Sequence, residues 1–260
     1  MKIVIIGSGN VATVLGNKIV QAGHTVVQVY GRNEAETKHL ASQLDANPVH
    51  DWKLIKKGLD LYLVALSDTA LSGLSEHLQL EDEIIVHTAG AVMKEVLKPI
   101  SSRYGVLYPL QSLRKNKMHI QDIPLMVDGS DEKTLKKIQK LALSISDKVT
   151  VATDIQRLRM HLAAVIVNNF VNNLYVLAET YCQQHGLDFK QLLPLIRETV
   201  KQLPSHSPQH LQTGPAVRHD AATIEKHLGL LQDDPRLREI YALLTHSIQQ
   251  VHPKKGAEED

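Results

Sequence analysis

Cysteine is nearly absent: Cys182 stands alone among 260 residues. An intramolecular disulfide is therefore excluded, which fits a reducing cytoplasm. Cys182 itself lies in an apolar-periodic stretch and reads as a buried, inert thiol. Aromatic residues are scarce at 4%, which argues against a surface that stacks nucleic-acid bases. Neither sign of charge dominates, since 29 Lys and Arg face 28 Asp and Glu. No bulk field draws nucleic acid or a membrane surface, although a small anion held by a few local cations remains compatible. Long apolar runs are also missing. The opening run to Ile6 is too short for a signal peptide, and Leu162–Val167 is far shorter than a bilayer span. A soluble, cytoplasmic protein is expected, with no nucleic-acid or membrane partner. No G-x-S-x-G elbow or H-E-x-x-H motif occurs. His206 and His210 are four apart, but Pro208 lies between them and no carboxylate set accompanies them, so no metal site is expected.

What is present divides into two textures. Up to about Ala152, short β-branched runs alternate with helical stretches. The runs are Lys2–Ile6, Thr25–Tyr30, Leu61–Ala65, Ile84–His87, Gly105–Tyr108, Leu125–Val127 and Val149–Val151. Helical patterns cover Ala12–Gln21, Glu34–Gln43 and Asp68–Leu78. This alternation predicts an α/β domain with a mostly parallel sheet, covered on both faces because the early strands are almost wholly apolar. After Thr153 the strand signal stops. Thr153-Asp154 can start a helix, and no Pro or Gly follows until Gly186, roughly 45 Å of helix at ~1.5 Å per residue. Gly186 suits a left-handed C-terminal cap. Further helices are expected from Asp188 to about Leu203 with Pro194 near its start, from Asp220 to before Asp233, and from Pro235 to Val251. Residues 204–219 read as a loop. The predicted division is 1–152, an α/β domain, then 153–252, an all-α domain, then a disordered tail at 253–260.

The segment Gly7-Ser8-Gly9-Asn10-Val11-Ala12 follows the first strand and opens the first helix. It reads G-x-G-x-x-A. Gly7 permits the tight turn, Gly9 lets a pyrophosphate approach the backbone, and Ala12 lets the helix pack against the sheet. The helix N-terminus then offers N–H groups and a partial positive charge to phosphates. A dinucleotide-binding Rossmann-like domain is the expectation. The second strand ends at Tyr30, followed by Gly31-Arg32-Asn33. No Asp or Glu lies at 28–33 to bond a ribose 2′-OH, whereas the Arg32 guanidinium suits a 2′-phosphate and Asn33 can add a hydrogen bond. NADP is therefore the expected cofactor.

Further motifs carry a resemblance. They are Val86-His87-Thr88-Ala89-Gly90, Tyr108-Pro109-Leu110-Gln111, His161-Leu162-Ala163-Ala164 with Asn169, and Thr213-Gly214-Pro215-Ala216-Val217-Arg218-His219-Asp220. Together with Gly7–Ala12 they resemble the NADP oxidoreductases that join a Rossmann-like domain to an uncharacterised helical C-terminal domain. These are distant relatives of pyrroline-5-carboxylate reductase, ketopantoate reductase and deazaflavin-dependent NADP reductases. The resemblance implies a C-terminal domain like that of 6-phosphogluconate dehydrogenase. Two departures show. Tyr108 stands where the family pattern has His. Related hydroxyacid dehydrogenases place a Lys on the long helix, yet none occurs from Ile155 to Gln184.

Site residues follow from both lines. Ser67 and Thr88 close strand ends where cofactor loops pass, and Asp68 is expected to cap the next helix. His87 can bond ligand or serve structure. His161, Asn168 and Asn172 share one helical face with Asn169 beside it, a polar strip that can line a cleft or bond across a homodimer. His161 is the best candidate for proton transfer, with Asn169 beside it. Arg218 can grip a carboxylate or phosphate, or hold its own loop through Asp220. The expected function is hydride transfer between NADP(H) and a small carbonyl or imine substrate, one that can carry an acid group. The alternative is a non-catalytic NADP(H)-binding sensor. The helical domain is the natural surface for a homodimer.

Overall fold

The computed structural model describes residues 1–115 and 123–254. Of the tail expected at 253–260, residues 255–260 lie outside the described residues. Among the described residues, the first 151 positions supply eight strands, β1 Lys2–Ile6, β2 Thr25–Tyr30, β3 Asn47–Val49, β4 Leu61–Val64, β5 Ile84–His87, β6 Tyr104–Pro109, β7 Leu125–Gly129 and β8 Val149–Val151. They form one sheet in the order β3-β2-β1-β4-β5-β6-β7-β8. All neighbours are parallel except β6 and β7, which run antiparallel. Strand order reverses between β1 and β4. Ligands of open α/β sheets sit at the carboxyl ends of the strands at such a reversal.

Helices α1 Asn10–Gln21, α2 Glu34–Gln43, α3 Asp68–Leu71 and α4 Glu132–Ile145 connect these strands. Two apolar clusters fill the two faces of the sheet. One contains Ile3, Ile5, Leu15, Val29 and Leu63, the other Val4, Ile6, Tyr62, Val64 and Ile85. Successive residues of β1 thus point to opposite faces and both are buried, which explains its unbroken apolar run. Two local expectations change. β3 is three residues long and contains Pro48, so its pattern is too short and too irregular to read from sequence. The helix expected over Asp68–Leu78 breaks into α3 and a single 3-10 turn at Leu74–Glu76, with Gly73 between them.

Beyond β8 the chain is helical. The elements are α5 Asp154–Ala164, a π-turn at Val165–Phe170, α6 Val171–Gln184, α7 Leu193–Gln202, the short α8 Pro208–Leu211, α9 Ala221–Leu230 and α10 Pro235–Val251. Thr153 and Gln156 cap α5 reciprocally. Gly186 takes φ +68° after α6, and Leu187 N donates back to Cys182 O at 2.8 Å, the left-handed ending foreseen. The run Asp154–Gln184 is 31 residues long and, by length and composition, apolar enough to cross a membrane.

Two compact units divide this chain, Met1–Asn168 and Asn169–Asp260. Most of α5 and its π-turn therefore belong with the sheet, although the change from strand to helix occurs near 152. Side chains account for it: Asp154 accepts from Lys94 N at 3.1 Å, Tyr108 meets His161, and Asn168 Nδ2 donates to Ser112 Oγ at 2.7 Å. In the second unit, among the described residues, only Cys182, Ala216 and Leu231 are buried. Phe170, Leu195, Leu230 and Leu243 are all more than half exposed.

Candidate functional site

Gly7 is dictated by its surroundings. Its φ is +123°, and a Cβ there would lie 2.3 Å from the Ala65 carbonyl oxygen at the end of β4. The turn after β1 can press against β4 only with glycine. Gly9 is the N-cap of α1 and has no side chain to offer the helix. A Cβ built on it meets nothing within 4 Å. Open space therefore lies over a helix start whose first N–H groups have no side-chain cap, which is the arrangement that receives a phosphate. Ala12 is fully buried against the sheet. Asn10 accepts from Lys115 N at 3.0 Å, and Val11 packs at the edge of the core.

A cavity of about 550 Å³ continues from this turn, and Ser8, Gly31, Arg32, Asn33 and Ser67 are among the residues along it. Gly31 is held by space, because a Cβ would lie 2.2 Å from Thr37 Oγ1. Arg32 is exposed beside it. Asn33 has a second duty: its Oδ1 caps α2 by accepting from Glu36 N at 3.0 Å, so its Nδ2 is what remains for a ligand. Glu34 and Glu36 start α2 and would oppose a phosphate, but each meets a lysine. Glu34 pairs with Lys38 at 2.5 Å and Glu36 with Lys115 at 3.0 Å. Arg32 thus keeps its attraction for an anion.

Sequence reasoning missed one wall of this cavity. Tyr30 stacks on Trp52 with ring centroids 3.8 Å apart, and Trp52 on His77 at 5.4 Å and 7°. All three line the cavity. The single tryptophan of the chain, three residues beyond β3, was the available signal. Asp68 does not cap α3; Ser67 holds the N-cap position, and its hydroxyl meets Thr69 Oγ1 at 3.2 Å instead. With Asp68 already inside the helix, its carboxylate follows the cap instead of forming it. Thr88 is buried, and its hydroxyl donates to Val64 O at 3.3 Å.

At the ends of β5 and β6 lies a second cluster. His87 is fully buried, and its Nδ1 accepts from Ala89 N at 3.2 Å. Burial, with the nearby Arg157 charge, pushes its imidazole down to about 4, so it is neutral near pH 7 and reads as structural. Arg157 is 1% exposed. Its Nη2 donates to Asp154 Oδ1 at 2.5 Å and to Val92 O, while Nε and Nη1 have no partner among the described residues. One turn later on α5, His161 Nδ1 lies 2.9 Å from the hydroxyl of Tyr108. Gly90 makes room for this pair: a Cβ there would lie 2.6 Å from His161 Nδ1 and 3.1 Å from Tyr108 Cε2.

The expected polar strip is altered. Asn168 and Asn169 fall in the π-turn, whose wider turns shift the facing of every later residue, so His161 and Asn172 no longer keep a simple helical register. Asn168, Asn169, Asn172 and Asn173 are exposed, so none carries the cost of a buried amide. Asn169 and Arg218 belong to the second unit. There Arg218 is exposed, and Asp220 caps α9 through Thr223 N at 3.1 Å. Gly214 and His219 both take positive φ in this shaped loop.

Comparison with known proteins agrees with this layout. A Rossmann-like domain model matches residues 1–111 and a domain of unknown function, DUF2520, matches residues 123–248. The chain is 35% identical to BF3122 from Bacteroides fragilis, described as a putative NADP oxidoreductase, with a TM-score of 0.89 over 96% of this chain and 98% of that one. That shared span necessarily includes much of the 31-residue helix, which is therefore a core helix of this fold and not a membrane span. An imine reductase from Myxococcus stipitatus in complex with NADP+ shares the fold at 15% identity and a TM-score of 0.67, over 96% of this chain and 93% of that one. A 1-pyrroline-5-carboxylate reductase from Streptococcus pyogenes does so at 15% and 0.63, over 96% and 98%. A search of curated proteins returns no match. The chain belongs to the family, represented by BF3122, that joins a Rossmann-like domain to a DUF2520 domain, and its fold is that of NADP-dependent oxidoreductases.

Proposed function

We propose that this protein is a cytoplasmic NADP(H)-dependent oxidoreductase acting on a small carbonyl or imine compound, including substrates that carry an acid group. The observation that carries the reading is the cradle at the strand-order reversal. Gly7 is pressed against Ala65, and open space lies over the uncapped start of α1, with Arg32 lining the same cavity. Gly7, Ser8, Gly9 and the N–H groups of Asn10, Val11 and Ala12 would hold the pyrophosphate. Gly31, Arg32 and Asn33 would hold the 2′-phosphate, with Ser67 and Thr88 on the neighbouring strand ends. NADPH supplies the hydride when bound.

The protein's own part is to orient the substrate and to handle one proton. His161 stands nearest that task, because its imidazole has a nitrogen left over after meeting Tyr108. Asn169 and Arg218, both in the second unit, are proposed as further functional residues, Arg218 as a grip for a carboxylate. We also propose a homodimer built on the second unit. Among its described residues that unit buries only three, and it carries an apolar groove of about 530 Å³ lined in part by Leu177, Tyr181, Leu187 and Leu231. A second copy supplies the missing apolar contacts.

Incubation of the protein with NADPH and a panel of keto acids, cyclic imines and imino acids tests the enzymatic reading. Turnover of at least one member, abolished in His161→Gln, is expected. Tight NADPH binding with no turnover of any member would instead identify a dinucleotide sensor.

A further inference from the structure

Tyr108 on β6 is the residue that meets His161 on α5. The two rings lie edge to face, with centroids 5.9 Å apart and planes at 79°. Gly90 is needed here for space, since its φ is not in the left-handed region. The pair is thus built, with a glycine on one side and β6 and α5 fixing its two members.

The direction of the hydrogen bond follows from what each partner can do. Tyr108 is only 8% exposed, and His161 is the one hydrogen-bond partner of its hydroxyl among the described residues. If Nδ1–H donated to the phenol, the phenolic proton would have no protein acceptor among the described residues, an unfavourable arrangement for a largely buried side chain. If the phenol donates to Nδ1, both groups are satisfied. Burial also raises the Tyr108 phenol above its ordinary range, which keeps that proton in place.

We infer that Tyr108 donates its O–H to Nδ1 of His161 and so fixes the imidazole as the Nε2–H tautomer, aiming an N–H donor at the substrate. Tyr108 is then a positioning residue. The inference rests on the reading of His161 as the proton-handling group. A neutral imidazole cannot simply lose Nε2–H, so two protons must move together. As the substrate's C=O or C=N bond is reduced, its oxygen or nitrogen takes the proton from Nε2. The Tyr108 proton passes to Nδ1, and the ring stays neutral. Negative charge ends on the Tyr108 oxygen. Arg157, one turn before His161 with Nε and Nη1 unpartnered, favours that charge. A proton from water then returns to Nε2 as the Nδ1 proton passes back to the Tyr108 oxygen, which restores both the phenol and the Nε2–H tautomer.

Two-bond proton–nitrogen correlation spectra of the full chain, labelled with 15N-histidine at mildly alkaline pH, read the tautomer directly. His161 is assigned by its disappearance in His161→Gln. The wild type is expected to show the Nε2–H pattern, and Tyr108→Phe to move the Nδ1 resonance and abolish the single tautomer. An Nδ1–H pattern in the wild type, or unmoved His161 resonances in Tyr108→Phe, overturns the inference. If Tyr108→Phe does not fold, the wild-type spectrum alone decides. No turnover is needed, so a failure here is distinct from a failure of the enzymatic reading. Where a substrate turns over, Tyr108→Phe is expected to lower kcat at least tenfold and to leave KM for NADPH within twofold. An unchanged kcat overturns the proton relay.

Discussion

At the scale of single residues, Arg32 and His87 make opposite use of charge. Arg32 is exposed and free to attract, so its deletion acts on binding. Loss of a charged hydrogen bond costs about 1.5–3 kcal/mol, which is about 10- to 100-fold in Kd. Arg32→Ala is therefore expected to weaken NADPH by that factor and to leave NADH within twofold, read by calorimetric titration. His87 is buried and kept neutral, so its effect is on stability. In the unfolded chain its imidazole titrates near 6.5, and in the folded protein at about 4. Between those values the unfolded state binds a proton that the folded state refuses. Stability attributable to His87 thus falls as pH drops from about 6.5 to about 4 and then levels off, by up to about 3 kcal/mol. Urea unfolding across that range checks it, and His87→Gln should remove this part of the slope. Glycine roles at 7 and 9 were readable in advance because spacing alone implies a tight turn and a close approach. The Tyr108–His161 contact was not, because it joins residues 53 apart through a glycine whose importance is steric and leaves no local pattern.

At the scale of elements, termini were more legible than register. Thr153-Asp154 gives the start of α5, Gly186 the end of α6 and Pro235 the start of α10, each through chemistry written in one or two residues, whereas the reciprocal cap from Gln156 emerges only in the structure. Thr153→Ala is expected to cost about 1 kcal/mol, the usual value of an N-cap, measured by denaturant unfolding with the slope unchanged. The π-turn at Val165–Phe170 was invisible, since its residues VIVNNF have no composition that separates it from an α-helix. It shifts the polar positions after it and undoes the simple strip read from spacing. α3 likewise yields to Gly73, and β3 to Pro48. The parallel sheet was legible from long apolar strands buried on both faces, whereas a three-residue edge strand carries too few side chains to announce itself.

At the scale of the whole molecule, the two units differ in how much they bury. The sheet unit has a continuous core on both faces, while the second unit buries only Cys182, Ala216 and Leu231 among its described residues. A dimer is therefore expected in solution at twice the chain mass by light scattering, and Phe170→Glu with Leu243→Glu should shift it toward monomer or insolubility. A wild-type protein that stays monomeric and stable at micromolar concentration would contradict it. The central claim is narrower, that the Gly7–Ala12 cradle and Arg32 together select NADPH. Calorimetric titration of the wild-type protein with NADPH and with NADH tests it most directly. Saturable binding of NADPH at one per chain, at least tenfold tighter than NADH, is the predicted result. No binding of either dinucleotide, or equal affinity for both, would contradict the account.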